Sequence, residues 1–226
     1  MTLSFFGRAA GKTSRAAQDA QLRAMTEEVR AYWEGLRRGG DLPERSQIDP
    51  RGMEGALRGT FLAERIAPGV ARLRIAGMNF TDLLGMDARG MPLSALFDPM
   101  SRARLSVLLD SCFLRPAVLD LALGCEMGIG RPDLRARMIL LPLAGDGSRG
   151  EMALGCLALA DQIGRQPRRL VIESATTTPV RLPQLQPAVP LQVLTEIAKR
   201  AGNAASTATP QPGHLRLVTQ DGEKIG

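Results

Sequence analysis

The chain has 226 residues, of which 44% are hydrophobic and only 4% aromatic, and it carries a net charge of +6. This length accommodates one domain with a hydrophobic core, together with terminal extensions. The arginines are scattered, with acidic residues between them, whereas nucleic-acid-binding proteins gather basic residues on one face. Composition therefore argues against nucleic acid as a partner.

The cysteines and the apolar runs indicate the cellular compartment of the protein. Cys112, Cys125 and Cys156 stand among apolar residues or glycine, without the Cys-x-x-Cys spacing of a zinc site. Such cysteines are usually core residues in a reducing compartment. No run approaches the roughly 20 apolar residues of a membrane helix, and the N-terminus has no signal-peptide core. We expect a cytoplasmic protein with no transmembrane segment and no metal.

Residues 1–13 are expected to form a flexible N-terminal arm, and residues 14–40 an amphipathic helix that ends at Gly39-Gly40. Apolar side chains recur there at steps of three and four residues, which places them on one stripe. The stripe residues are Leu22, Met25, Val29, Trp33 and Leu36. The stripe requires a cover, either the chain's own sheet or a second copy. The residues alone leave both covers open.

A folded domain is predicted over residues 41–175. Turn signals separate five strand patterns: Phe61–Ile66, Ala71–Ala76, Ala117–Glu126, Leu134–Leu143 and Met152–Ala160. Helical segments precede Gly85, cover residues 93–97 and run from Pro99 to about Leu114. The turn at 145–148 carries an Asp-Gly hairpin signal. This order predicts an α+β fold, a five-stranded antiparallel sheet with helices on one face.

The remaining sequence is less regular. Residues 170–173 could form one more short strand, and prolines punctuate the segment that follows. We expect residues 176–226 to comprise a Pro-rich linker, a short helix over residues 191–200 and a disordered tail.

Two motifs flank the first pair of strands. The first is Pro43-x-Arg45-x-x-Ile48-Asp49-Pro50, and the second runs from Gly77 to Gly85 as Gly-x-x-Phe-x-x-Leu-Leu-Gly. With the order of elements, they resemble PAS sensory domains, specifically the short single-domain PAS proteins of alphaproteobacteria. The resemblance implies a receiver and docking domain and a cavity between sheet and helices. It also implies a homodimer, in which we expect the stripe of residues 14–40 to form an interface.

The resemblance also places a ligand site. Most of the expected cavity-wall residues are apolar, and they come from both helices and strands. They are Asn79, Phe80, Leu84, Phe97, Leu109, Cys112, Phe113, Leu123, Cys125, Met138, Leu140 and Cys156. A small apolar ligand would suit such walls, and a filled core without a ligand is the open alternative.

Cofactors and catalysis have little support in the sequence. The haem-binding PAS pattern needs a histidine in the helical segment, but His214 is the single histidine. The flavin-binding pattern needs Asn and Arg around its cysteine, and Ser111-Cys112-Phe113-Leu114 lacks both. The Gly7–Lys12 segment has the wrong spacing for a phosphate loop. We therefore predict neither haem nor flavin and no catalytic residue, because no Ser or Cys has a positioned base.

Three functions follow in order of preference. The first is a non-enzymatic sensory or regulatory PAS protein that acts through protein–protein contacts, gated by a small ligand. The second is a constitutive scaffold or localisation adaptor without a ligand. The third is a small enzyme on an α+β sheet, which would require a clustered acid–base pair in a cleft.

Overall fold

The computed structural model describes residues 15–144, 149–160 and 162–183. The predicted arm 1–13, the hairpin turn 145–148 and the predicted helix and tail beyond residue 183 lie outside these ranges. The helices are α1 (Arg15–Leu36), α2 (Met78–Leu84) and α3 (Pro99–Leu114). Three 3-10 helices span Arg45–Gln47, Pro50–Ala56 and Leu93–Leu96. The strands are β1 (Thr60–Ala67), β2 (Val70–Ala76), β3 (Ala117–Cys125), β4 (Ala136–Ala144), β5 (Arg149–Leu159) and β6 (Leu170–Pro179).

All strands join one antiparallel sheet in the order β2-β1-β5-β4-β3-β6. The five predicted strands are present, which confirms the α+β antiparallel architecture. β6 adds a sixth strand beside β3, and it is longer than the short strand predicted at 170–173. Its last residue, Pro179, pairs with Ala117 at the sheet edge, where the missing N–H of proline is tolerated. β6 crosses the predicted domain boundary at 175.

Helices cover both faces of the sheet. One face is covered by α2, the 3-10 helix Leu93–Leu96 and α3. This agrees with the predicted placement of helices on one face. α1 and the 3-10 helix Pro50–Ala56 lie on the other face. Side chains of a strand alternate between faces, so Met138 and Leu140 pack under α3 while Ile139 and Leu141 pack under α1. We call these two sets the α3-side core and the α1-side core.

The α1 stripe is covered by the chain's own sheet. Val29 and Trp33 have no exposed surface, Leu22 is also buried, and Met25 and Leu36 are half-buried. The Trp33 indole Nε1–H donates to the carbonyl of Pro142 on β4 at 2.9 Å. This corrects the expectation that Leu22, Val29 and Trp33 face a second copy, because in this conformation their surface is already buried within one molecule.

The second sequence motif is a compact turn into α2. The Gly77 N–H donates to Thr60 O, and a Cβ at Gly77 would lie 2.3 Å from the Arg58 carbonyl oxygen. At the other end, Gly85 adopts φ 78° as the C-cap of α2, a conformation that favours glycine. Both glycines are therefore required by local geometry.

Candidate functional site

The structure brings most of the predicted cavity residues together. The members that belong to the α3-side core are Phe80, Leu84, Phe97, Leu109, Cys112, Phe113, Leu123, Cys125, Met138 and Leu140. These side chains fill the space between the sheet and the helices: Phe80 and Phe97 have no exposed surface, and the Phe80 ring meets Phe61 edge-on at 5.1 Å between centroids. The predicted cavity region is thus occupied by its own side chains.

Cys156 is placed on the wrong face by the sequence prediction. Its side chain packs in the α1-side core with Val29 and Trp33. The neighbouring Gly155 occupies the α3 side, where a Cβ would lie 2.3 Å from the Phe61 ring. Alternation along β5 therefore turns Cys156 away from the predicted cavity.

Two polar residues at the predicted cavity region, Asn79 and Ser111, are engaged in the fold. Asn79 is buried, and its Nδ2–H donates to Leu157 O at 2.8 Å, which ties α2 to β5. The Ser111 hydroxyl donates to Leu108 O at 2.7 Å within α3. Both side chains therefore donate to backbone carbonyls of the fold.

The cysteine thiols lie in environments that keep them protonated. Burial raises the pKa of Cys112 and of Cys156 to about 12. Burial also raises the pKa of Cys125 to about 11, although the nearby Arg168 guanidinium acts in the opposite direction. The thiolate is the nucleophilic form, so these residues do not supply an activated nucleophile at neutral pH.

A cavity of about 700 Å³ lies elsewhere, on the α1 side of the sheet next to the edge strand β2. We call it the edge groove. Its walls are mostly apolar and come from the 3-10 helices, β1, β2, β5 and the start of α2. The lining residues are Arg45, Ile48, Pro50, Met53, Glu54, Leu57, Arg58, Thr60, Phe61, Leu62, Ile75, Ala76, Gly77, Met78 and Leu154.

Sequence reasoning missed the edge groove. Three lining residues, Leu57, Ile75 and Met78, are each about half exposed. Their sequence context predicts only a turn, a strand and a helix, and it does not predict a shared groove. Arg45 and Ile48 belong to the first motif, and that motif indicates a family resemblance without indicating a cavity. Nothing in the local pattern states that these segments meet around a cavity.

The family assignment rests on the sequence. A family model described as PAS domain matches residues 22–158, more than half of the chain. The chain belongs to the PAS domain family. This confirms the resemblance at the level of the family. The region of this PAS protein that matches includes most of α1 and ends in β5, so β6 lies beyond it.

Other comparisons are more distant. A solved structure titled "Structure of an RNA-binding Light-Oxygen-Voltage Receptor" is 18% identical to this PAS protein, with a TM-score of 0.35. The alignment covers 54% of this chain and 37% of that chain, well under two thirds of its length. No curated protein matches the sequence. Within the described ranges, no helix has both the length and the apolar character needed to cross a membrane.

Proposed function

We propose that this PAS protein is a non-enzymatic regulatory protein that acts in the cytoplasm through contacts with other protein molecules. The observation that carries the proposal is a row of exposed apolar side chains on α3. Met100 is 87% exposed, Val107 71% and Leu114 61%. Exposed apolar surface of this kind is typical of an interaction site when the residues are contiguous.

The three side chains share one side of α3. They are spaced seven residues apart, and seven residues make close to two turns of a helix. The opposite side of α3 packs in the α3-side core through Leu105 and Leu109. α3 therefore buries one stripe in the fold and presents a second stripe to the outside.

A second copy of the chain is the partner that this stripe fits. In an antiparallel pair of α3 helices with a twofold axis at Val107, Met100 faces Leu114 of the second copy. Arg104 and Asp110, three residues on either side of Val107, then face each other with opposite charge. The described contacts of Asp110 with Gly69 and Arg65 both use Oδ1, which leaves Oδ2 able to accept from Arg104 of the second copy. The proposed homodimer thus uses α3 in place of the covered α1 stripe.

Sedimentation velocity of the full chain tests this proposal. We expect the wild type to form a dimer and Val107→Asp to be monomeric, because the substitution places a carboxylate at the centre of the apolar contact. Ile129→Asp is the matched control, since Ile129 is 97% exposed and lies outside α3. A monomeric wild type, or a Val107→Asp dimer of unchanged affinity, would overturn the proposed assembly.

The filled α3-side core favours a second candidate, a constitutive scaffold or adaptor without a ligand in that core. The two functions differ in their response to small molecules. Thermal shift of the full chain against a metabolite panel, followed by sedimentation in the presence of any hit, separates them. A ligand that alters the dimer affinity supports a gated regulator, and a chain whose assembly ignores every stabilising compound supports the scaffold.

A further inference from the structure

The edge groove exists because α1 covers only part of its face of the sheet. α1 packs mainly on β4, β5 and the 3-10 helix Pro50–Ala56. Ile75, Leu62 and Leu154 are paired across β2, β1 and β5, and they form a continuous apolar row on that face. Leu154 and Leu62 are covered within the α1-side core, whereas Ile75 at the edge is 46% exposed. The row therefore runs from the buried core out to solvent.

The 3-10 segments give the groove its second wall. Within the 3-10 helix Pro50–Ala56, the Met53 side chain is buried. Ile48, before this helix, is half-buried, and Leu57, directly after it, is 45% exposed. Met78, 58% exposed, stands at the entrance from α2. The cavity volume of about 700 Å³ falls within the range of small-molecule sites. Size and depth therefore favour a small molecule with an apolar body over a second folded protein.

The polar groups of the groove determine which head group it accepts. Two guanidinium groups, from Arg45 and Arg58, line it against one carboxylate, that of Glu54. Arg58 is paired with Asp82 at 3.0 Å. Within the described part of the chain, the Arg45 guanidinium makes no hydrogen bond or ion pair, and it is exposed at the rim. Arg45 can thus bind an anion without breaking an existing contact.

We propose that the edge groove binds a single-chain amphiphile with an anionic head, of the class of a long-chain carboxylate. The alkyl chain lies against the exposed groove side chains Ile75, Leu57 and Met78, and the carboxylate accepts hydrogen bonds from Arg45. This site lies on the opposite face of the sheet from the filled α3-side core.

Isothermal titration of the full chain with dodecanoate, below its micelle concentration, tests the site. We expect saturable binding of one molecule per chain. Dodecyltrimethylammonium has the same alkyl chain with a cationic head, and hexanoate has the same head with a short chain. Both should bind at least about tenfold more weakly. Equal binding of the cationic amphiphile would show simple partitioning onto apolar surface and would overturn the proposal.

Two variants locate the site. Ile75→Asn removes the exposed end of the apolar row, and Arg45→Gln removes the guanidinium at the rim of the groove. Each should weaken dodecanoate binding by about tenfold. Ile129→Asn, a control outside the groove, should leave the affinity for dodecanoate unchanged. Circular dichroism melting of each variant verifies that it is folded. Absence of dodecanoate binding, or binding that neither groove variant affects, would overturn the inference.

The proposed ligand site in the edge groove and the proposed α3 dimer can be disproved separately. Val107→Asp should bind dodecanoate as the wild type does, since Val107 lies outside the groove. If the wild type binds dodecanoate but is monomeric, the ligand site is supported and the α3 dimer is contradicted. If the wild type is a dimer that does not bind dodecanoate, the dimer is supported and the ligand site is contradicted.

Discussion

At the scale of single residues, Arg168 is the most unusual group. Its side chain is 1% exposed, and its guanidinium donates to three backbone carbonyls, those of Glu126, Pro132 and Ile163. Among the described residues, no carboxylate forms an ion pair with it. Arg168 therefore joins the loop after β3 to the segment before β6 through hydrogen bonds to backbone carbonyls.

Replacing Arg168 should destabilise the fold strongly. Arg168→Met keeps an unbranched aliphatic stem but removes the guanidinium, which leaves buried carbonyls without donors. We therefore expect the free energy of unfolding to fall by about 2–4 kcal/mol. Urea unfolding followed by circular dichroism measures this change. Arg165→Met, at an exposed arginine of the same segment, is the control and should lie within about 0.5 kcal/mol of the wild type. Equal stability of the two variants would contradict the role given to Arg168.

The buried thiols give a prediction about pH. Because burial raises the pKa of each of the three thiols to about 11 or 12, a thiol-specific reagent at about pH 8 should label the native protein far more slowly than the urea-unfolded protein. The unfolded thiols ionise first, near pH 8.5, so their contribution to stability is complete below that pH and declines as pH rises toward 11–12. Chemical unfolding at pH 8 and pH 10 should therefore show lower stability at the higher pH. Rapid native labelling of Cys112 or Cys156 would contradict their burial.

At the scale of elements, α1 is part of the folded unit. Trp33 has no exposed surface and hydrogen-bonds to β4, and the Arg37 guanidinium lies 5.1 Å from the centroid of its ring. α1 and the sheet should therefore unfold together, in contrast to a flanking helix held only by a second copy.

Trp33 variants measure how strongly α1 is attached. Trp33→Ala should lower the free energy of unfolding by about 3–5 kcal/mol, the usual range for removing a buried aromatic side chain. Trp33→Phe should cost less, since it keeps an aromatic ring but leaves the Pro142 carbonyl without its donor. Glu34→Ala, at the exposed next position, is the control. If urea unfolding of Trp33→Ala resembles that of the control, α1 is not docked on the sheet as described.

At the scale of the whole molecule, the sheet is sandwiched by helices and extended by β6 at the end opposite to β2. β6 pairs with β3 along nearly its whole length, and Leu170 and Ile172 belong to the α3-side core. The backbone N–H of Ile172 also donates to the Ser101 hydroxyl oxygen on α3 at 3.0 Å. β6 is therefore a structural part of the sheet although it lies beyond the family match.

Truncation tests the contribution of β6. A chain that ends at Pro183 keeps all six strands and should unfold cooperatively at nearly the wild-type temperature. A chain that ends at Arg169 loses β6 and exposes β3, so we expect a much lower melting temperature or aggregation through the open strand edge. Calorimetry or thermal circular dichroism compares the two. Similar melting of both chains would show that β6 is dispensable.

The sequence by itself determined the elements, their order and the family, because these depend on local periodicity, turn residues and short motifs. The helical stripe at Val29 and Trp33, the Gly77–Gly85 turn and five of the six strands are all readable in this way. Such patterns show that a face is buried, but they do not show what buries it. The α1 stripe could equally have met a second copy, and only its docking on β4 and β5 decides the matter.

The tertiary structure alone decided where cavities and exposed faces lie. β5 is apolar on both faces from Ala153 to Ala158, so its sequence carries no alternation to show that Cys156 points toward α1. For the same reason, the sequence left open whether the space under α3 is a cavity or a filled core, and the buried Phe80 and Phe97 occupy part of that space. The edge groove forms where α1 stops short of β1 and β2, and the extent to which one element covers another is a property of packing between distant segments.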